Sequence, residues 1–252
     1  MEYKPEEYWE NRLKDGLNLG VVGHIGFGLE YNKWLYKARI RTLNKLIRDQ
    51  GISVTGKTVL DIGVGSGFYI DFWQNKGVAQ ITGIDITETS VSTLRTIYPQ
   101  HRFIKADIGS DLDLYEEFDI ITAFDVLFHI VDEGAFEKAI SNIRRLCHEK
   151  SYVLITDIFL KDPIEPAFHE NHRTLNRYID ILANNEMQIQ AIYPIFYIMT
   201  EPFDQKAIKN SVCKILTSNL WRLVNKVLST SKNKPFFEKV VGNVLGGGTL
   251  CL

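Results

Sequence analysis

The sequence has few cysteines, no long apolar run and almost no net charge, and each of these features argues against a class of protein. The three cysteines, Cys147, Cys213 and Cys251, form no C-x-x-C pair, which argues against a disulfide framework or a zinc site. No stretch approaches the roughly 18 apolar residues of a membrane-spanning helix, and the N-terminus lacks a signal-peptide core. A net charge of −2 argues against a general nucleic-acid binder. We therefore expect a cytoplasmic protein without a nucleic-acid partner.

One segment, residues 58–68, joins a short apolar strand to three alternate glycines and the start of a helix. The apolar residues suit a buried parallel strand. Gly63, Gly65 and Gly67 allow tight turns and the close approach of a ligand. Asp61 lies among the apolar residues, where an unpartnered carboxylate costs free energy. We expect Asp61 to meet a polar partner near the carboxyl end of the strand.

The glycine spacing separates two classes of nucleotide cofactor. Dinucleotide-binding proteins use G-x-G-x-x-G, whereas the third glycine here comes one residue earlier and position 68 is Phe. The pattern Asp61-x-Gly63-x-Gly65-x-Gly67 resembles instead the first motif of class I S-adenosylmethionine (SAM)-dependent methyltransferases. That resemblance implies that these four residues bind SAM. The alternative is a glycine-rich turn without a ligand.

Two further acidic residues follow in the order that this resemblance implies. Asp85 ends a predicted strand 18 residues after Gly67, close to the roughly 20-residue offset at which an acid binds ribose hydroxyls. By resemblance, Asp85 accepts hydrogen bonds from both ribose hydroxyls and Asp107 accepts one from the adenine amino group. Ile86 and Ile108 would flank the adenine ring. The alternative role of both acids is that of a helix N-cap.

Strands and helices are predicted to alternate over residues 58–157, which indicates a parallel sheet with helices on both faces. Two closing strands are predicted at residues 188–193 and 196–199. With the resemblance, the predicted fold class is α/β, a doubly wound and mostly parallel seven-stranded sheet with an antiparallel last strand. We divide the chain into an N-terminal lid segment (1–50), a SAM-binding methyltransferase core (51–202) and a basic amphipathic helical extension (203–252).

Methyl transfer to a hydroxyl benefits from a base, and histidine suits that role near neutral pH. His129 follows the fourth predicted strand and is the first candidate. Asp125, at the end of that strand, would orient His129 or line the SAM pocket. His24, in the glycine-rich N-terminal loop, is the second candidate, and each of these residues could instead be structural. Because Asp125, Asp132 and Asp157 have no recognisable metal-binding spacing, we expect no metal.

The predicted function is methyl transfer from SAM to a small molecule, which leaves S-adenosylhomocysteine (SAH). An oxygen acceptor is favoured, with a sugar or glycan hydroxyl slightly preferred over a phenol. Acceptor contacts are expected from the polar stretch after the fifth strand, at His169, His172, Arg173 and Tyr178. The alternative is a non-catalytic SAM-fold scaffold or a membrane-peripheral interaction protein.

The tail from residue 203 onward differs in charge from the rest of the chain. It contains eight Lys or Arg against two acidic residues, together with apolar residues at helical spacing. The first interpretation is a helix packed on the fold or on the partner of a homodimer. The second is a helix in peripheral contact with an anionic membrane surface.

Overall fold

The computed structural model of the chain describes residues 3–14, 16–23, 28–195, 216, 219–220, 222–223 and 248–251. Seven strands form one sheet. The strands are β1 (Thr58–Ile62), β2 (Gln80–Asp85), β3 (Arg102–Lys105), β4 (Phe118–Phe124), β5 (Cys147–Asp157), β6 (Ala191–Pro194) and β7 (Gly248–Cys251). The helices are α1 (Pro5–Leu13), α2 (Leu19–Val22), α3 (Gly28–Asp49), α4 (Phe68–Asn75), α5 (Glu88–Ile97), α6 (Glu133–Arg145) and α7 (Leu175–Asn184).

The strand order is β3-β2-β1-β4-β5-β7-β6. Strands β1 to β5 pair in parallel, which confirms the predicted α/β fold with a mostly parallel sheet. The order reverses between β1 and β4, so the connections from these two neighbours leave to opposite sides. A crevice opens at the carboxyl ends of the strands at such a switch point.

The last two strands differ in position from the prediction. β7 lies between β5 and β6 and is antiparallel to both, with Leu154 opposite Cys251. The strand predicted at 196–199 lies outside the described residues. Residues 248–251, which we assigned to a helical extension, contribute a strand, because a run of glycines before them disfavours a helix.

Helix α3 packs into the core on one face of the sheet. Its stripe of Tyr36, Leu43 and Ile47 is buried together with Val59 of β1 and Trp73 of α4. We had placed α3 in a lid segment spanning residues 1–50, but burial of this stripe makes α3 part of the core. Only the residues before α3 remain candidates for a lid.

The opposite face of the sheet is covered by α6. The predicted stripe on this helix is fully buried, with Phe136, Ala139, Ile140 and Ile143 each at 0% exposure. Asp132 caps the helix by accepting from the amide of Ala135 at 2.8 Å, which fixes where α6 begins. The loop between β4 and α6 is thereby held above the crevice.

The described positions of the tail include helical residues with exposed side chains. Leu216, Leu220 and Leu223 are exposed by 62%, 54% and 57%. Within the described ranges, no helix is both long and apolar enough to cross a membrane. Contact of the tail with a membrane or with a second copy of the chain stays a prediction.

Candidate functional site

A cavity of about 630 Å³ opens at the carboxyl ends of the parallel strands, a volume usual for small-molecule sites. Residues predicted to bind the cofactor line it together: Gly63, Gly65, Asp85, Ile86, Asp107 and Ile108. Asp125 and His129, both predicted to be catalytic, line the same cavity. The loops after β1, β2, β3 and β4 therefore converge on one space.

Two positions of the glycine loop after β1, Gly63 and Gly67, have no room for a side chain. Gly63 has φ +68°, and a Cβ there would lie 2.4 Å from Cγ2 of Val126. Gly67 has φ +75°, and its Cβ would lie 2.6 Å from Leu94. Both contacts are too short for real atoms. Gly63 also brings the loop against the turn that carries His129, while Gly67 is the N-cap of α4 and does not line the cavity.

Asp85 binds the glycine loop to the start of α5. Its Oδ2 accepts from the amide of Gly65 at 2.8 Å, and its Oδ1 accepts from the amide and hydroxyl of Thr87 at 2.9 and 2.7 Å. Burial raises the pKa of this carboxyl, although these hydrogen bonds oppose the shift. A carboxylate has about four acceptor positions, so one remains for a ligand.

Asp107 forms a turn at the end of β3. Its Oδ1 accepts from the amide of Gly109 at 2.8 Å, and its Oδ2 accepts from the hydroxyl of Ser110 at 3.0 Å. These bonds hold the carboxylate at the cavity wall and leave acceptor positions open on both oxygens. Neither acid is a helix N-cap, because Thr87 holds that position in α5 and no helix lies between β3 and β4; both instead accept from amides two residues or more away in the loops.

Asp61 lies under the glycine loop, at 2% exposure, and does not line the cavity. The hydroxyl of Thr122 donates to its Oδ1 at 2.6 Å. Its Oδ2 is buried without a hydrogen-bond partner among the described residues. Burial, with a smaller contribution from the charge of Asp85, raises the pKa of Asp61 to about 7. One oxygen of this buried carboxyl therefore lacks a hydrogen-bond partner.

Asp125 is held by a half-buried arginine, Arg39, for which the sequence predicts no role. Nη2 of Arg39 lies 2.5 Å from Oδ2 of Asp125, and the hydroxyl of Thr156 donates to Oδ1 at 2.8 Å. Asp125 has φ +58°, an uncommon backbone conformation for this residue type. Arg39 lies three residues after Tyr36 and four before Leu43, and a charge on that buried stripe was the available signal.

His129 lies in a 3-10 turn (Leu127–His129) that follows β4. Its Nδ1 lies 3.0 Å from the carbonyl oxygen of His169; because a carbonyl only accepts, Nδ1 carries the proton and Nε2 carries the lone pair. Burial lowers the pKa of His129 to about 4, so the ring is neutral at pH 7. The indole of Trp9 contacts the imidazole edge to face at 4.8 Å.

Two of the predicted acceptor contacts, His169 and His172, belong to a charged group beside His129 and do not line the cavity. Nε2 of His169 lies 3.4 Å from Oε1 of Glu170, and Nε2 of His172 lies 3.4 Å from Oε2 of the same carboxylate. Burial alone would lower the pKa of His172, but Asp157 and Glu170 outweigh it and raise the pKa to about 9. The bond to His172 lowers the pKa of Glu170 to about 2.

The other two predicted acceptor contacts, Arg173 and Tyr178, are buried and bonded to other protein groups. Arg173 is 4% exposed and donates to the carbonyl oxygen of Ile130 at 2.9 Å and to Glu133 at 2.8 Å. Tyr178 is fully buried and donates to Asp157. Neither lines the cavity, because the polar stretch folds back on the β4–α6 loop and supports it. His24 lies outside the described residues.

Helix α1 covers one side of the cavity, where Tyr3, Trp9 and Leu13 contribute to its lining. Oε2 of Glu10 accepts from the amides of Glu88 and Thr89 at 2.9 and 3.4 Å. These amides begin α5, so Glu10 acts as an N-cap from a distant part of the chain. Glu10 and Tyr3 were not identified from the sequence, which offers no local signal for such a contact.

Comparison with known proteins agrees with this geometry. Residues 59–150 match the family model of a methyltransferase domain. A ubiquinone biosynthesis O-methyltransferase of Stutzerimonas stutzeri is 32% identical over 101 residues, which is 38% of this chain and 43% of the relative. The chain therefore aligns with less than half the length of that curated relative.

Solved structures share the fold at low identity. Magnesium protoporphyrin IX methyltransferase from Synechocystis, with bound SAH, aligns with a TM-score of 0.55 at 18% identity over 74% of this chain and 90% of that one. The 1,6-didemethyltoxoflavin N1-methyltransferase of Burkholderia thailandensis, with its acceptor and SAH bound, aligns with a TM-score of 0.52 at 18% identity over 63% and 71%. Both likenesses concern the fold.

Proposed function

We propose that this protein transfers the methyl group of SAM to a hydroxyl of a small aromatic acceptor. The match of residues 59–150 to a methyltransferase domain supports this proposal. The observation that carries the proposal is the single cavity in which Gly63, Asp85 and Asp107 meet His129. A cofactor held by the first three residues would lie within one enclosed space with a proton acceptor.

The residues present fit SAM. Gly63 and Gly65 line the cavity without a side chain, so their backbone can approach the ligand. Asp85 keeps one acceptor position for a ribose hydroxyl, and Asp107 keeps acceptor positions for the adenine amino group, with Ile86 and Ile108 beside the ring. Oδ2 of Asp61 has no partner among the described residues; because Asp61 lies under the loop and does not line the cavity, it would accept from the ammonium group of the cofactor through a bridging water.

When bound, SAM supplies a methyl group on a sulfonium, which keeps the C–S electron pair and leaves as the thioether SAH. The protein has to align the acceptor oxygen with that carbon and to receive the hydroxyl proton. His129 is neutral, and its Nδ1 is engaged with the carbonyl of His169, so Nε2 is the nitrogen that receives the proton. Asp125, pinned by Arg39, is a positioning residue that fixes the start of the turn carrying His129.

An aromatic acceptor fits the cavity better than the sugar that the sequence favoured. Aromatic side chains line much of the wall: Tyr3, Trp9, Tyr36, Phe68, Tyr69 and Phe124. The polar residues that supported a sugar lie elsewhere, since His169, His172, Arg173 and Tyr178 do not line the cavity. Flat aromatic rings pack favourably against such walls. The O-methyltransferase name of the curated relative also supports an oxygen acceptor.

Titration calorimetry with SAH tests the cofactor site, and turnover of labelled SAM with panels of phenols and sugar nucleotides tests the acceptor. We expect SAH binding and turnover with a phenol. His129→Ala should lower kcat about 10²- to 10⁴-fold and leave SAH affinity unchanged. His148→Ala is the matched control, because His148 lies outside the cavity lining.

Three outcomes would contradict the proposal at different points. Absence of SAH binding would remove the SAM site altogether. SAH binding with turnover only on sugars would keep the enzyme and reject the aromatic acceptor. Full activity in His129→Ala would remove His129 from the chemistry.

A further inference from the structure

A cluster of two imidazoles and one carboxylate lies at the wall of the cavity. One ring nitrogen of His129, one of His169 and one carboxylate oxygen of Glu170 all lie within 4.8 Å of one another. These residues come from two segments, the turn after β4 and the loop after β5. We call them the His129–His169–Glu170 cluster.

The spacing within the cluster suits a metal ion more closely than it suits hydrogen bonds. Nε2 of His169 lies 3.4 Å from Oε1 of Glu170, which is long for a hydrogen bond between these atoms. Two ligand atoms of a tetrahedral zinc ion with bonds of 2.0–2.1 Å are about 3.4 Å apart. The two imidazole rings are parallel within 10°, at 5.7 Å between centroids, so both side chains would have to turn for their nitrogens to point at one ion.

Groups around the cluster hold its members in the way that metal ligands are usually held. Nδ1 of His129 donates to the carbonyl of His169 at 3.0 Å, and this contact leaves Nε2 with its lone pair. The second oxygen of Glu170 lies 3.4 Å from Nε2 of His172, which makes an ion pair with it rather than a close hydrogen bond. Ligating histidines and carboxylates are oriented by such outer contacts.

We propose that the His129–His169–Glu170 cluster binds one divalent transition-metal ion, with zinc as the ion that fits best. Two imidazoles and one carboxylate are the ligands of catalytic zinc sites with an open fourth position. Magnesium and calcium take mainly oxygen ligands. The spacing of carboxylates along the sequence predicts no metal, whereas this set depends on residues 40 positions apart that the fold brings together.

The ion would act on the acceptor, and this consequence rests on the proposed function. His129 lines the cavity, so an ion bound to it lies at the cavity wall with a position open to an acceptor hydroxyl. Coordination lowers the pKa of that hydroxyl. Its O–H bond then breaks with the proton released to solvent water, and the oxygen keeps the electron pair that forms the bond to the methyl carbon. In the ion-bound protein His129 is a ligand rather than the base.

The test uses the full chain, freed of metal with a chelator and titrated with Co²⁺ while visible absorption is followed, then with Zn²⁺ by calorimetry. We expect one ion per chain and the absorption bands of tetrahedral Co²⁺. Glu170→Gln and His169→Gln should each weaken binding of both ions at least tenfold. Glu165→Gln is the matched control, because Glu165 is an exposed acid on the same loop and should bind as the parent does.

Parallel titration with SAH separates the two proposals. SAH binding without saturable Zn²⁺ or Co²⁺ binding overturns the metal site and leaves the proposed function intact. Zn²⁺ affinity unchanged in both cluster variants also overturns it, since the ion then lies elsewhere. Melting curves show whether each variant folds, and His169→Gln is decisive if Glu170→Gln does not.

Discussion

Asp61 should make cofactor affinity depend on pH. Its carboxyl is buried, and burial raises its pKa to about 7, so near pH 6 most of the molecules without cofactor carry a neutral Asp61. If the ammonium group of the cofactor binds Oδ2 through a bridging water, only the ionised form binds well. Binding then releases a proton, and affinity rises with pH up to about 7.

The size of this effect follows from the pKa. With an apparent dissociation constant proportional to 1 + 10^(pKa − pH), affinity should rise about 25-fold between pH 5.5 and 7.5, or about 2 kcal/mol. The rise should level off above pH 7. This window stays below the pKa of about 8 of a free α-amino group, so the ammonium form of the ligand is present throughout.

The assay is calorimetric titration with SAH at several pH values in buffers of different ionisation enthalpy, which also counts released protons. Asp61→Asn is the control, since it keeps the shape and cannot ionise. We expect Asp61→Asn to bind SAH more weakly at pH 7.5, with little dependence on pH. An unchanged affinity of the parent protein from pH 5.5 to 7.5, without proton release, would refute the reasoning.

Ionisation of Asp61 should also make the free energy of unfolding of the cofactor-free protein depend on pH. The folded pKa of about 7 lies above the usual aspartate pKa of 3.8, so the folded state binds this proton more tightly than the unfolded state. The contribution of Asp61 to the free energy of unfolding should therefore be greatest below pH 4 and decrease up to pH 7, by on the order of 4 kcal/mol. Urea unfolding of the parent and Asp61→Asn should show this slope only in the parent; equal slopes would contradict the buried charge.

Three further substitutions test the site's construction. Gly63→Ala should weaken SAH binding more than tenfold and destabilise the fold by about 1–3 kcal/mol more than the control Gly56→Ala does. Both positions have positive φ, but only Gly63 lies against Val126. Equal effects of the two variants in calorimetry and urea unfolding would show that backbone strain alone is responsible. Tyr178→Phe should cost about 1–3 kcal/mol through the lost bond to a buried carboxylate and leave kcat/KM unchanged, whereas a raised KM would restore its role in acceptor binding. Arg39→Met should cost about 1–3 kcal/mol by leaving a half-buried carboxylate without its cation. It should also lower kcat without weakening SAH binding, and unchanged kcat would reject the positioning role.

The cofactor half of the site could be predicted because its signals are local. The periodicity of apolar residues predicts the alternation of strand and helix. Gly63 and Gly67 are required by the positive φ and the close contacts of a single loop. In a parallel sheet the strand ends share one edge, so Asp85 and Asp107 arrive at one cavity once the strands are placed. The parallel core of β1 to β5 follows from the same reasoning.

Tertiary structure alone decided the contacts between distant segments. The strand Gly248–Cys251 enters the sheet between β5 and β6, Arg39 meets Asp125, and His129 meets Glu170. Each pairing depends on the path of long connections and on which surface a loop packs against, and neither is encoded in the pattern of adjacent residues. Residue types along the chain thus determined which side chains meet at the carboxyl ends of the parallel strands, whereas packing between remote segments decided what surrounds them.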